Sequence, residues 1–307
     1  MHRGVHDFIA WVEQHPGFPG LSLHSPSADA DLSAVEERIA SPLPADLRLM
    51  LQRYNGGAFP SGQLLQTGAS GPDSMLVALD ELAQRLKKSV RDPELLFPFF
   101  RSDDGGILAF DRSAGPVSDT WPILDYYADS GEQRLVHRTF DGFCRLRVAE
   151  WTSPDFGGEF TLDSYLHSGE RHVAIEPDVS IAHATVAHAL RRAGKPELAL
   201  ASYLRGARCV PAQPWCDWEA LKISVILGDT RSALEAATRV SSRAPKSRWD
   251  QRETTPIMVA DVLAVIAPRL RARREALLRI YDQLTEQVAD ETDKQHVAAI
   301  RRAVFAG

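Results

Sequence analysis

The chain has 307 residues, 44% of them hydrophobic and 25% charged, which is enough apolar content to bury a large core and more naturally two domains than one. It has only three cysteines, Cys144, Cys209 and Cys216, and no apolar run of about eighteen residues or more; Met1-His2-Arg3-Gly4 leads into Val5, Phe8, Ile9 and Val12 at helical spacing. Disulfide scaffolds and helical membrane proteins are thereby excluded, and a soluble protein of the reducing cytoplasm is expected.

The net charge of −6 is unevenly spread. Residues 1–176 hold 15 Lys+Arg against 26 Asp+Glu, a net of −11, whereas residues 177–307 hold 20 against 15, a net of +5. An acidic front repels phosphates and so disfavours nucleic acid as a direct ligand, while it steers a basic protein toward itself. Two domains are predicted, 1–176 and 177–307.

In chain order, residues 4–15 read as a short amphipathic helix stopped by His15-Pro16-Gly17-Phe18-Pro19-Gly20. A second helix carries Leu32, Val35 and Ile39, with either Asp31 or the Ser33/Glu36 pair as its cap, and ends at Ser41-Pro42. Pro44 then opens a third helix, whose Leu47, Met50, Leu51 and Tyr54 share a face, and Asn55-Gly56-Gly57 stops it because Asn and Gly tolerate left-handed backbone. Strand-like runs follow at 63–66, 75–79, 95–100, 107–110 and 121–127. A polar helix is expected from Asp80 to about Val90. Asp103-Asp104-Gly105-Gly106 reads as a hairpin turn, residues 128–132 as a second turn, and Thr139-Phe140 as the start of a closing helix, a role that 160–166 fits equally well.

Leu43-Pro44 followed by Asn55-Gly56-Gly57, with the "Phe-Pro-Phe" strand, the "Asp-Gly-Gly" turn and the "Ala-Phe-Asp" strand behind them, resembles the core of the SUKH superfamily. That group includes fungal cell-wall synthesis regulators and many bacterial toxin-immunity proteins. The resemblance covers about residues 29–150 and implies an α+β fold, a mixed sheet with flanking helices. It also implies a non-enzymatic protein that binds a protein partner and uses no cofactor. Leu43, Pro44, Asn55, Gly56 and Gly57 are then scaffold residues.

Past Pro177 the sequence is alanine-rich and repeats itself. A shift of 34 residues maps Gly194 onto Gly228, Ala199 onto Ala233 and Pro211 onto Pro245, which is the tetratricopeptide period. An all-α array is predicted, with repeats at about 180–213 and 214–247 and further helices at 259–269, 272–290 and 292–305.

No constellation for catalysis is found. Gly68-Ala69-Ser70-Gly71 falls one residue short of a nucleophile elbow. His183 and His188 lack the i, i+4 spacing of a metal helix, and His2 and His6 have the spacing without a third ligand. Cys209 and Cys216 are too far apart for a redox pair and read as packing residues, while Asp103-Asp104 with Asp111 lacks the ligand pattern of a calcium loop. The arginines of 269–274 spread around a helix and read as a solvated face. Of Trp121, Tyr126 and Tyr127, at least one is expected in the core and another is available as a partner anchor.

Two binding functions remain. One is an immunity protein whose acidic surface neutralises a basic toxin domain, with Asp103, Asp104, Asp125, Tyr127, Asp129 and Glu132 as candidate contacts. The other is a scaffold or adaptor that grips a peptide or protein client along the helical repeats.

Overall fold

The computed structural model describes residues 3–68, 71–86, 93–114, 121–127, 132–243 and 256–306. The chain divides into two compact units, Met1–Glu159 with Ala174–Glu176, and Phe160–Val173 with Pro177–Gly307.

In the first unit the described elements are α1 (Arg3–Gln14), β1 (Ser22–Leu23), α2 (Asp29–Ile39), α3 (Ala45–Arg53), β2 (Gly57–Phe59), β3 (Gly62–Leu64), α4 (Met75–Leu86), β4 (Leu96–Ser102), β5 (Gly106–Asp111), β6 (Ile123–Tyr127), β7 (Glu132–His137) and α5 (Phe140–Trp151). The seven strands form one sheet in chain order, each antiparallel to the next. This is an α+β unit.

Both sheet faces are covered, which is why β4 and β5 read as unbroken apolar runs and not as alternating ones. Toward one face lie Phe97, Phe99, Phe100, Leu108, Phe110 and Ile123, packed with Phe8, Leu47, Met50 and Phe143 of α1, α3 and α5. Leu96, Ala109, Leu124, Tyr126 and Leu135 form a separate cluster with Leu82 of α4 on the other. Phe99 and Phe100 can sit in the same core because the register shifts between Pro98 and Phe100, and this bulge also gives Pro98, which has no N–H to donate, a place in a central strand. Phe8, Phe59 and Trp151 pack ring to ring at 5.4–5.6 Å, and Phe99 meets Phe143 edge-on at 5.5 Å. Each such ring, fully buried, contributes about 1.5–3 kcal/mol.

Leu43 and Leu47 are buried, Pro44 is the residue before α3, and Tyr54 ends it half exposed. Gly56 and Gly57 take φ of 77° and 124°, and the Asn55 side chain accepts the Thr67 N–H at 2.9 Å, so the glycine stop is tied to the loop after β3. α5 starts as expected, with the Thr139 hydroxyl accepting the Gly142 N–H at 3.1 Å.

Two local expectations are corrected. The run 75–79 is not a strand but the first turns of α4; Met75, Ala78, Leu79 and Leu82 are all buried, at the spacing of one helical face, and a five-residue apolar run alone does not separate the two periods. Val90, its expected end, lies outside the described residues. Neither Asp31 nor Ser33 caps α2, which begins at Asp29 after Ala28 with no side-chain cap. Glu36 instead reaches the next corner, accepting the Leu43 N–H at 3.0 Å and pairing with Arg48 at 2.6 Å.

The second unit is helical: α6 (Leu162–Ile175, whose last residues count with the first unit), α7 (Ser180–Arg192), α8 (Pro196–Arg208), α9 (Pro214–Leu227), α10 (Thr230–Arg243), α11 (Pro256–Ile266), a 3-10 segment at Ala267–Arg273, α12 (Arg274–Gln287) and α13 (Glu291–Phe305). The starts of α7 and α9, and of α8 and α10, are each separated by the 34 residues of the sequence shift. Gly194 and Gly228 both end a helix at φ 71°, and Ala199 and Ala233 are both fully buried. Pro245 lies outside the described residues. Ser180 fastens consecutive helices together: its hydroxyl donates to the Gly206 carbonyl at 2.8 Å and accepts the Gln213 N–H at 2.8 Å.

Candidate partner-binding end of the sheet

The meander order brings three connections of the first unit to one end of the sheet. Gly62 pairs with Ser102 and Gly106 with Tyr127, so the β2–β3 turn at Pro60-Ser61, the β4–β5 turn at Asp103-Asp104-Gly105, and the ends of β6 and β7 all meet there. The Asp103 N–H donates to the Ser61 carbonyl at 3.2 Å, joining the first two turns.

Asp103 and Asp104 are exposed at the turn tip. Asp104 also shapes the turn, its carboxylate accepting the Gly106 N–H at 3.1 Å, and Gly105 supplies the left-handed φ of 87° that the reversal needs. Asp125 lies on β6 opposite Leu108, and its carboxylate approaches Gly106 so closely that a Cβ there would meet it at 2.6 Å. Asp104 and Asp125 therefore flank the same glycine. Tyr127 and Glu132 are register partners at the β6 and β7 ends; the structure describes their backbone only. Asp129 lies outside the described residues.

The charge at this end is not uniform. Register places Arg134 of β7 opposite Asp125, and Arg147 of α5 donates to the Ser61 hydroxyl at 3.1 Å while pairing with Glu150 at 3.1 Å. Asp103 makes no side-chain ion pair among the described residues. Arg147 and Ser61 were not readable as part of this surface, because they come from elements 86 positions apart that only the folded meander brings together. Trp121 and Tyr126 are core residues, at 1% and 2% exposure, with the Arg112 guanidinium 5.5 Å from the Trp121 ring.

The other residues weighed for chemistry have structural partners. His183 donates from Nε2 to the Pro177 carbonyl at 2.8 Å, and the His188 ring packs edge-on against Tyr165. Cys144 and Cys216 are fully buried, and burial pushes the Cys144 thiol well up from its ordinary range. Asp111 is buried and accepts the Ser113 N–H at 3.0 Å. Leu270 is buried within the arginine run, whereas Arg269, Arg271 and Arg273 are exposed and Arg274 covers the Phe305 ring at 5.0 Å. Ala69, Ser70 and His2 lie outside the described residues.

One buried polar pair was missed. His137 Nδ1 lies 2.6 Å from a Glu176 carboxylate oxygen, and the other oxygen accepts the Arg138 N–H at 2.7 Å. A pairing across 39 positions leaves no local pattern in the sequence.

Residues 26–145 match the SMI1 / KNR4 family (SUKH-1). The SUKH-1 match begins just before α2, contains every strand from β2 to β7 and ends inside α5, so it includes the whole acidic sheet end. The helices from α6 onward lie outside it. No curated protein matches the chain. Among the described residues, no helix is long and apolar enough to cross a membrane.

Proposed function

We propose that this protein is an immunity-type binding protein that neutralises a basic toxin domain in the cytoplasm, docking it on the acidic sheet end without catalysing a reaction. The observation that carries this is the convergence of Asp103, Asp104 and Asp125 with two further chain turns on one rim of the SUKH-1 segment. Exposed turns on a rigid sheet are well suited to recognition, since the scaffold fixes their geometry and leaves side chains such as Asp103 open to solvent. A nuclease-type toxin has a cationic phosphate-binding cleft. Carboxylates on a rim match it in charge, mimic phosphates and raise the association rate. The backbone ends of β6 and β7 at Tyr127 and Glu132 lie at the same rim, and Asp129, outside the described residues, completes the candidate contacts.

The helices from α7 onward are read as a tetratricopeptide-like array, on the strength of the 34-residue spacing of their starts. The test is co-expression with any toxin-like domain that the genes flanking this one encode. Protection of the cells, and retention of that domain on the immobilised full chain at low salt, are expected. Cell death despite soluble expression, or no retention at low salt, rejects the immunity reading.

A further inference from the structure

The second unit holds a groove that the immunity reading does not use. It has a volume of about 470 Å³ and is lined by Glu197, Leu200, Ala201 and Leu204 of α8 and by Leu227 and Asp229 at the turn from α9 to α10. Glu197, Leu200, Ala201 and Leu204 are at i, i+3, i+4 and i+7, a single ridge of α8. The groove thus lies between α8 and the turn from α9 into α10, where Ser232 completes its lining.

Its chemistry is two-sided. Leu200 is buried at the floor, Leu204 and Leu227 are half-buried, and Ala201 is exposed, which leaves room above the floor where a larger side chain would have filled it. Exposed apolar surface continues beside it in sequence, at Leu198 (57% exposed) and Ile226 (79%). Both charged lining residues, Glu197 and Asp229, are acidic. Glu197 makes no ion pair among the described residues. Asp229 caps α10, accepting the Arg231 and Ser232 N–H groups at 3.1 Å each, and those hydrogen bonds, with the Ser232 hydroxyl first among them, hold it below the ordinary carboxylate range, so it is charged at neutral pH. Further along the α8 ridge, Arg208 pairs with Glu235 of α10 at 3.1 Å. The Arg269 guanidinium lies against Gly228, next to Asp229, so Glu197 carries the larger share of uncompensated charge.

We infer that this groove binds a cationic amphipathic segment of a protein partner, one that lays leucine-like side chains on Leu200, Leu204 and Leu227 and directs Lys or Arg to Glu197 and Asp229. A purely apolar partner would desolvate the Glu197 carboxylate without compensation, and an acidic one would be repelled; a segment with both apolar and cationic side chains satisfies floor and rim together. This places a second recognition site on the repeat unit, independent of the sheet end.

The full-length protein is titrated into a fluorescein-labelled peptide of about sixteen residues, with leucines at i, i+3, i+4 and i+7 and lysines elsewhere, and followed by fluorescence anisotropy. Saturable binding is expected, weakened about threefold to tenfold by Glu197→Lys and by a rise in salt, and at least as much by Ala201→Phe, which fills the groove from an exposed position and spares the core. Glu291→Lys, an exposed acid elsewhere on the unit, should change it less than about twofold. The inference is overturned if the peptide does not bind, if a scrambled peptide of the same composition binds equally well, or if Ala201→Phe folds normally by circular dichroism and leaves the affinity unchanged.

Discussion

Glu36 and Arg48 meet at 2.6 Å across the corner between α2 and α3, and the same carboxylate oxygen accepts the Leu43 N–H at 3.0 Å. The corner that carries the Leu-Pro motif is therefore held by one charge with two donors. Glu36→Gln keeps the shape and loses the charge; Glu36→Ala leaves Leu43 N–H and Arg48 without this acceptor and is expected to cost about 1–3 kcal/mol in urea unfolding. Partial burial alone would raise the carboxyl's pKa, but the Arg48 and Leu43 hydrogen bonds outweigh it and the net shift is downward from 4.5. A carboxyl held lower in the folded state stabilises above its ordinary value and ceases to do so as pH falls through the lowered one. The wild-type advantage over Glu36→Gln is thus expected to be constant at neutral pH and to shrink on acidification below about pH 4.5.

Glycines of the sheet differ sharply in what they tolerate. Gly57 has φ of 124°, and a Cβ on it would collide with the Ser22 carbonyl oxygen, because β1 pairs against it at that point. Gly105 has φ of 87° with nothing near the position a Cβ would occupy. Gly57→Ala combines strain with a backbone clash and is expected to destabilise by about 3 kcal/mol or more, whereas Gly105→Ala should cost only about 1 kcal/mol. Thermal unfolding of the two variants side by side checks the ordering, and an equal loss would contradict it.

The order of elements was legible because most of its signals are local: glycine stops, the Asp-Gly-Gly turn and the Thr139 cap each lie within a short window, and the 34-residue recurrence shows on shifting the sequence against itself. Residues 75–79 misled because helix and strand patterns coincide over so short an apolar run, and only Leu82, three residues further on, separates them. Glu36 misled for a different reason, since a capping-box Glu and a corner-bridging Glu look identical until Arg48 is folded against it. At the sheet end, Asp103 and Asp104 were legible as turn residues, but that Asp125 shares Gly106 with Asp104 follows from strand register, which no local pattern encodes.

Within the second unit, Asp217 is completely buried and bound by Arg239, which also holds Glu235 at 2.6 Å. Removing the carboxylate leaves a largely buried guanidinium short of a partner. Asp217→Ala is expected to cost about 3–5 kcal/mol. Glu235→Ala, whose carboxylate is more exposed, should cost about 1 kcal/mol or less. Denaturant titration of the two variants gives the comparison, and similar losses would show that burial does not set the value of this network.

At the acidic rim, charge reversal separates recognition from stability. Asp103 is exposed and makes no side-chain ion pair among the described residues, whereas Asp104 also closes the turn onto the Gly106 N–H. Asp103→Lys should therefore leave the melting temperature within about one degree of wild type, and Asp104→Lys should lower it slightly through loss of a turn hydrogen bond worth about 1 kcal/mol. Against a cognate basic toxin domain, as proposed above, each reversal is expected to slow association about threefold to tenfold at low salt, with a smaller effect on dissociation, because a rim charge acts mainly by steering. Raising the ionic strength should bring wild type and variants together, since the Debye length falls to about 8 Å at 0.15 M and these side chains are open to solvent. Stopped-flow association at two salt concentrations provides the measurement. Rates that do not respond to Asp103→Lys or to salt, with binding itself intact, would move the docking surface away from this end of the sheet.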